Sequence, residues 1–219
     1  LPGRLELEDK WILSKLNSVI PEVTENMDKY ELGVAAQKVY DFIWDDYCDW
    51  YIELTKSRLQ GEDAEAKINA QKVLCYVLTH ILKLLHPFMP FITEEIWQAL
   101  PHEGDFLMLQ RWPEHHVELD FPEEEKAMEM IMDAIGAVRT RRAEMNVPPS
   151  KRAHLTVSTL EQEVFTAGIP FLKRLGYGSD VTITGVAESG SDADQAAKGM
   201  VTVITHAARI SMPMAELVD

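Results

Sequence analysis

The stretch Leu85-His86-Pro87-Phe88-Met89-Pro90-Phe91-Ile92-Thr93-Glu94-Glu95-Ile96-Trp97 decides the fold class. It closes a strongly apolar helical segment, turns on two prolines that cannot sit in a helix interior, and opens a new helix at once. Thr93 reads as the cap of that helix, with Glu94 and Glu95 in a first turn where carboxylates suit the helix dipole. Two helices joined by so short a turn must lie side by side, so this half of the chain reads as an α-helical bundle.

Upstream, residues 8 to 28 read as a helix with Leu7, Trp11, Leu16, Val19, Val23 and Met27 in a helical stripe, which Pro21 should kink or restart. Residues 31 to 59 make a longer one. Its apolar face is Leu32, Ala36, Val39, Ile43, Tyr47, Trp50 and Leu54, widened by Tyr40, Trp44 and Tyr51, with Gly61 as a stop. At 1.5 Å per residue this helix would span roughly 40 Å. Residues 62 to 86 are apolar nearly all round from Val73 to Leu85, the mark of a central helix. A fourth helix covers 91 to 100, and Phe106 to Trp112 reads as a short extended connector.

A different texture begins near residue 120. Pro122 opens a long helix, 122 to 146, that Pro148-Pro149 ends. Ala153 to Ser158 reads as a strand, Leu160 to Leu175 as a helix, Val181 to Val186 as a strand and Glu188 to Lys198 as a polar loop. Met200 to Thr205 and Ala207 to Met212 read as a hairpin turning at His206. The expected organisation is therefore a bundle over 1–116 and a small α+β domain with a mixed sheet over 117–219, the boundary lying within 113–121.

Composition narrows the function. The chain has 219 residues, is 46% apolar and carries a net charge of −15. That charge disfavours nucleic-acid binding over the whole surface, because phosphate contacts need Lys and Arg. No apolar run reaches the roughly 18 residues of a membrane span, and no leader peptide opens the chain, which lacks an initiating Met as a piece of a longer protein would. Cys48 and Cys75 are too few for a zinc site and read as buried free thiols in a reducing cytoplasm. No glycine-rich phosphate loop, HExxH or nucleophile elbow occurs. His102-Glu103 lacks a second His, and His115-His116 reads as a polar connector rather than a metal site. No catalytic residue, metal ligand or cofactor-binding residue is expected.

The one concentration of positive charge is Arg139, Arg141, Arg142, Lys151 and Arg152, set against Glu144 alone, a net +4 island in an acidic protein. Arg139 and Arg142 are three apart and share a helix face. The forked guanidinium suits phosphate, so these five residues are the candidate RNA contacts, against the alternative of a solvated helix end. Lys10, Lys15, Lys56, Arg58, Lys83 and Arg111 are scattered secondary candidates. Trp11, Trp44, Trp50 and Trp97 read as core packing rather than base-stacking platforms, and Phe88 and Met89 as a plug between helices.

The proline turn resembles the segment joining two helices in the anticodon-binding domain of class I aminoacyl-tRNA synthetases, most closely the valyl enzymes. Asp9-Lys10-Trp11-Ile12-Leu13-Ser14 and Tyr40-Asp41-Phe42-Ile43-Trp44-Asp45-Asp46-Tyr47-Cys48-Asp49-Trp50-Tyr51-Ile52-Glu53 resemble helices of that domain. Arg141-Arg142-Ala143-Glu144-Met145-Asn146-Val147-Pro148-Pro149-Ser150-Lys151 is similar to a segment typical of valyl enzymes, and Pro213 to Asp219 resembles their passage into a coiled coil. The resemblance implies a non-catalytic module of a ligase that joins valine to its tRNA using ATP and magnesium and edits mischarged threonine. Its HIGH-type and KMSKS-type motifs and its editing domain would lie upstream. Implied partners are the anticodon loop and stem of valine tRNA and the catalytic domain of the same chain, with no DNA and no membrane, in a cytoplasmic monomer. An isoleucyl ligase module and a free-standing helical interaction domain are the alternatives.

Overall fold

The computed structural model describes residues 1–186 and 199–218. The expected loop from Glu188 to Lys198 lies outside the described residues. The chain divides into two compact units, Leu1–Glu125 and Lys126–Asp219.

The first unit is helical. Helix α1 (Leu7–Asp28) begins where the Asp9 carboxylate accepts the Glu6 N–H at 3.0 Å. It buries Trp11, Ile12, Leu13, Leu16, Ile20 and Val23. Pro21 does not restart it: the helix runs on through Pro21 to Asp28. The ring sits on the exposed side, while Ile20 and Val23 hold the buried side in register.

The long second helix is continuous but not uniform: α2 (Leu32–Asp41), a π-helical segment (Phe42–Tyr51), then α3 (Ile52–Gln60). Its buried line is Ala35, Val39, Phe42, Tyr47, Tyr51, Leu54 and Thr55. The five-residue step from Phe42 to Tyr47 does not fit an α-helix but fits a π turn, where the bond closes from i to i+5. This corrects the uniformly spaced stripe: Leu32 and Trp44 are exposed, and Ile43 and Trp50 are only half-buried. Residues Cys48 and Cys75 are free and half-buried rather than buried.

Asp63 caps α4 (Ala64–Leu85), accepting from the N–H groups of Glu65 and Ala66 at 3.0 and 3.1 Å. No residue of α4 from Val73 onward is exposed, as a central helix requires. Helix α5 (Pro90–Ala99) starts at Pro90, whose preset φ suits a first helical position. Thr93 is therefore inside the helix and not its cap. Fully buried, its hydroxyl donates to Met89 O at 2.8 Å and lies 2.7 Å from Nδ1 of His86. Glu94 accepts the Leu107 N–H at 2.9 Å, pinning a 3-10 turn (Leu107–Leu109) where an extended connector was expected. Leu82, Trp97 and Leu107 close this corner. The following segment is strapped to α1: Asn17 exchanges hydrogen bonds with His116 O and N at 2.8 and 2.9 Å, and Trp112 Nε1 donates to Thr24.

Helix α6 (Pro122–Glu144) crosses the division between the units. In the second unit a four-stranded mixed sheet runs in the order β2-β1-β4-β3. Strand β1 (Ala153–Thr159) is parallel to β2 (Gly178–Thr184) and antiparallel to β4 (Ala208–Pro213), and β3 (Met200–Ile204) pairs antiparallel with β4. Val157 stands opposite Ile183 on one side and Ile210 on the other. Burial alternates along β1, and its inward residues join Met128, Ile131, Ile135 and Val138 of α6 in the buried set. The helix expected over Leu160 to Leu175 is two, α7 (Gln162–Ala167) and α8 (Ile169–Leu175). Pro170 cannot donate to the turn before it, and a Cβ on Gly168 would come within 2.8 Å of the Ile131 side chain. No helix among the described residues is long and apolar enough to cross a membrane.

Candidate nucleic-acid interface

The cationic segment sits where α6 ends. Asn146 takes a left-handed φ of 54°, and the Val147 N–H returns to Arg142 O at 2.9 Å, closing the helix before Pro148. The loop 148–151 then folds back and delivers Arg152 to the start of β1.

The five predicted residues divide into two kinds. Arg139 and Arg141 are exposed on the last turns of α6, and Arg141 pairs with Glu144 at 3.1 Å. Arg152 is exposed, while its Nη1 donates to Lys173 O at 2.7 Å and Gly178 O at 3.2 Å. Lys151 is half-buried.

Arg142 is different. It is 2% exposed. Its Nη2 donates to Pro148 O at 3.1 Å and also to Lys151 O. Its Nε and Nη1 find no acceptor among the described residues. The Tyr177 ring stands there instead, its centroid 5.1 Å from the guanidinium carbon. Burial pulls the Arg142 pKa below the usual arginine range. Arg142 thus holds the loop in place and does not face solvent.

Tyr177 went unnoticed in the sequence. It lies between Gly176 and Gly178 with φ 57°, a backbone region that bulky residues rarely occupy. The Arg139 guanidinium lies 5.7 Å from the same ring. Two arginines therefore share one aromatic ring, and among the described residues neither they nor Arg152 pairs with a carboxylate.

Four of the six secondary candidates are occupied elsewhere. Arg58 is half-buried against Glu8 and Asp9. Lys10 pairs with Glu124 at 3.0 Å, Lys56 with Glu53, and Lys15 is 4.0 Å from Asp46. Lys83 is partly buried, which lowers its pKa, and Arg111 is exposed. Among the aromatics Trp11 and Trp97 are core, as expected, but Trp44 is 51% exposed and leans on Tyr40 at 6.2 Å. Phe91, just past the proline turn, is 91% exposed. Among the described residues no three His, Cys, Asp or Glu side chains gather to hold a metal ion.

A family described as the anticodon-binding domain of tRNA ligase matches residues 9–157, from α1 through β1. The chain belongs to this family. The chain is 43% identical to the valine–tRNA ligase of Oceanobacillus iheyensis over the whole of its length and 24% of that protein. It is 44% identical to that of Clostridium acetobutylicum and 45% to that of Clostridium tetani, each over 97% of this chain and 24% of the relative. The chain thus spans about a quarter of the length of these relatives. In this anticodon-binding domain the helical unit and the cationic segment at the end of α6 both fall within the family match.

Proposed function

We propose that this chain is the tRNA-holding part of a valine–tRNA ligase: it binds valine tRNA at the anticodon stem and loop, as a monomer, while ATP, magnesium and valine are handled by parts of the ligase outside these 219 residues. What supports the reading is one observation. A protein of net charge −15 keeps Arg139 and Arg152 exposed beside the buried Arg142, unpaired with carboxylates among the described residues, in a family of anticodon-binding domains. Guanidinium groups left without carboxylates suit RNA phosphates. The contacts are the exposed Arg139, Arg141 and Arg152 together with the half-buried Lys151, and Arg142 shapes the loop that leads to two of them. The work takes place in the cytoplasm, where charged tRNA is used.

The test is titration of the chain against a transcript of valine tRNA, and against one with its anticodon altered, over a range of salt. Binding that weakens with salt, and a Lys151→Ala/Arg152→Ala variant with a slope shallower by about one to two units, is the expected result. Preference for the intact anticodon identifies the helical unit as a reader of bases. A salt slope unchanged in that variant would remove the cationic segment from the interface.

A further inference from the structure

Tyr177 takes a left-handed backbone just past the end of α8, a place where helices commonly close on such a residue. A bulky residue at φ 57° is uncommon, and Tyr30 does the same at φ 60° past the end of α1. Glycine or asparagine would take the same backbone with less cost. Yet a tyrosine occupies the position, half-buried, with guanidinium carbons at 5.1 and 5.7 Å from its ring. Those distances lie within the range of cation–π attraction.

The two arginines use the ring differently. Arg142 is buried and committed to the carbonyls of Pro148 and Lys151. Arg139 is exposed, and the ring is the contact that the structure gives its guanidinium. A long side chain on a helix surface loses rotamer freedom when it grips a phosphate. One already laid on an aromatic ring has given up part of that freedom beforehand. Arg139 stays exposed, and the ring attracts the cation without accepting its strong hydrogen bonds. No carboxylate among the described residues competes for it.

Building on the RNA-binding reading above, we propose that Tyr177 is a positioning residue: its ring holds Arg139 ready to bind a phosphodiester of the RNA backbone.

The test is a double-mutant cycle on the full 219-residue chain, with Tyr177→Asn, Arg139→Gln, both together, and Tyr177→Phe as the conservative variant. Affinity for a valine-tRNA transcript is read at several salt concentrations, and folding by thermal melting. Asparagine tolerates the backbone but takes the ring away from Arg142 as well, so Tyr177→Asn should melt somewhat lower than the parent while staying folded at the binding temperature. It should bind roughly tenfold more weakly, with a salt slope shallower by about one unit. Arg139→Gln should do the same, and the double variant no worse than either, because both changes remove one contact. Tyr177→Phe should bind like the parent. Losses that add in the double variant, or parent-like binding by Tyr177→Asn, overturn the inference while leaving the RNA reading intact. A parent chain that does not bind at about 50 mM salt overturns the RNA reading itself, and this inference with it.

Discussion

Asp9 and Arg58 meet in a two-pronged ion pair across 49 residues: Nη1 donates to Oδ2 at 2.9 Å and Nη2 to Oδ1 at 2.5 Å, with the Asp9 side chain wholly out of water. The Tyr51 hydroxyl donates to Asp9 Oδ1 at 2.6 Å, and Glu8 adds a second carboxylate 2.9 Å from Nη2. The start of α1 is thereby tied to the end of the long second helix. Burial acts to lower the Arg58 pKa, but the bond to Asp9 and the charge of Glu8 raise it further, so the guanidinium stays charged. Arg58→Ala should cost about 3–5 kcal/mol, because a buried Asp9 would be left without its partner. Urea denaturation followed by tryptophan fluorescence checks this, and a loss under about 1 kcal/mol would contradict it.

Glu8 makes stability depend on pH. Burial pushes its pKa up to about 7 from an ordinary 4.5, against the opposing pull of Arg58. The folded state then binds a proton that the unfolded chain releases between those values. The stabilisation is full below about pH 4.5 and is lost as pH rises through about 7. Glu8→Gln should flatten this decline and leave the variant more stable than the parent at pH 8, by about 1–3 kcal/mol. Parallel stability curves for the two proteins from pH 5 to 8 would refute it.

Thr93 offers a sharper test of the proline turn. Its buried hydroxyl serves both Met89 O and His86. Thr93→Val keeps the shape and removes the hydroxyl, so a loss of about 1–3 kcal/mol is expected from the unsatisfied groups. A thermal melt unchanged by the substitution would mean that water replaces it.

Arg141 and Arg142 are neighbours in sequence with opposite expected behaviour. Arg142→Ala removes the clamp on the Pro148–Lys151 loop and empties a buried volume, costing about 2–4 kcal/mol. Arg141→Ala breaks only an exposed pair with Glu144 and should stay within about 0.5 kcal/mol of the parent. Hydrogen exchange of the β1 amides reports on both. Equal protection in the two variants would argue against the buried role of Arg142.

The bundle and the small sheet were legible because apolar period and proline punctuation are local signals. The π segment was not, since a 3.6-residue template spreads Ile43, Tyr47 and Trp50 over a face that the wider turn gives to Phe42, Tyr47 and Tyr51. Thr93 was misread as a cap because Pro90 starts the helix three residues earlier. At the candidate site the shared face of Arg139 and Arg142 could be read from spacing, and both do face Tyr177. Which of the two is buried depends on where the loop after α6 returns, a tertiary fact. The flanking glycines were the only trace of Tyr177's unusual backbone.

The sheet order also governs how the second unit can assemble during synthesis. Strand β1 is central, yet both its neighbours come later, and the Thr159 hydroxyl reaches its acceptor Ala207 O across 48 residues. A ribosome adding about 5–20 residues per second leaves that side of β1 without its partner for roughly two to ten seconds. During that time an alternating apolar strand has an open edge that another nascent chain could pair with. Slowing translation between β1 and β4 should therefore lengthen the period of vulnerability to aggregation, and speeding it should shorten it.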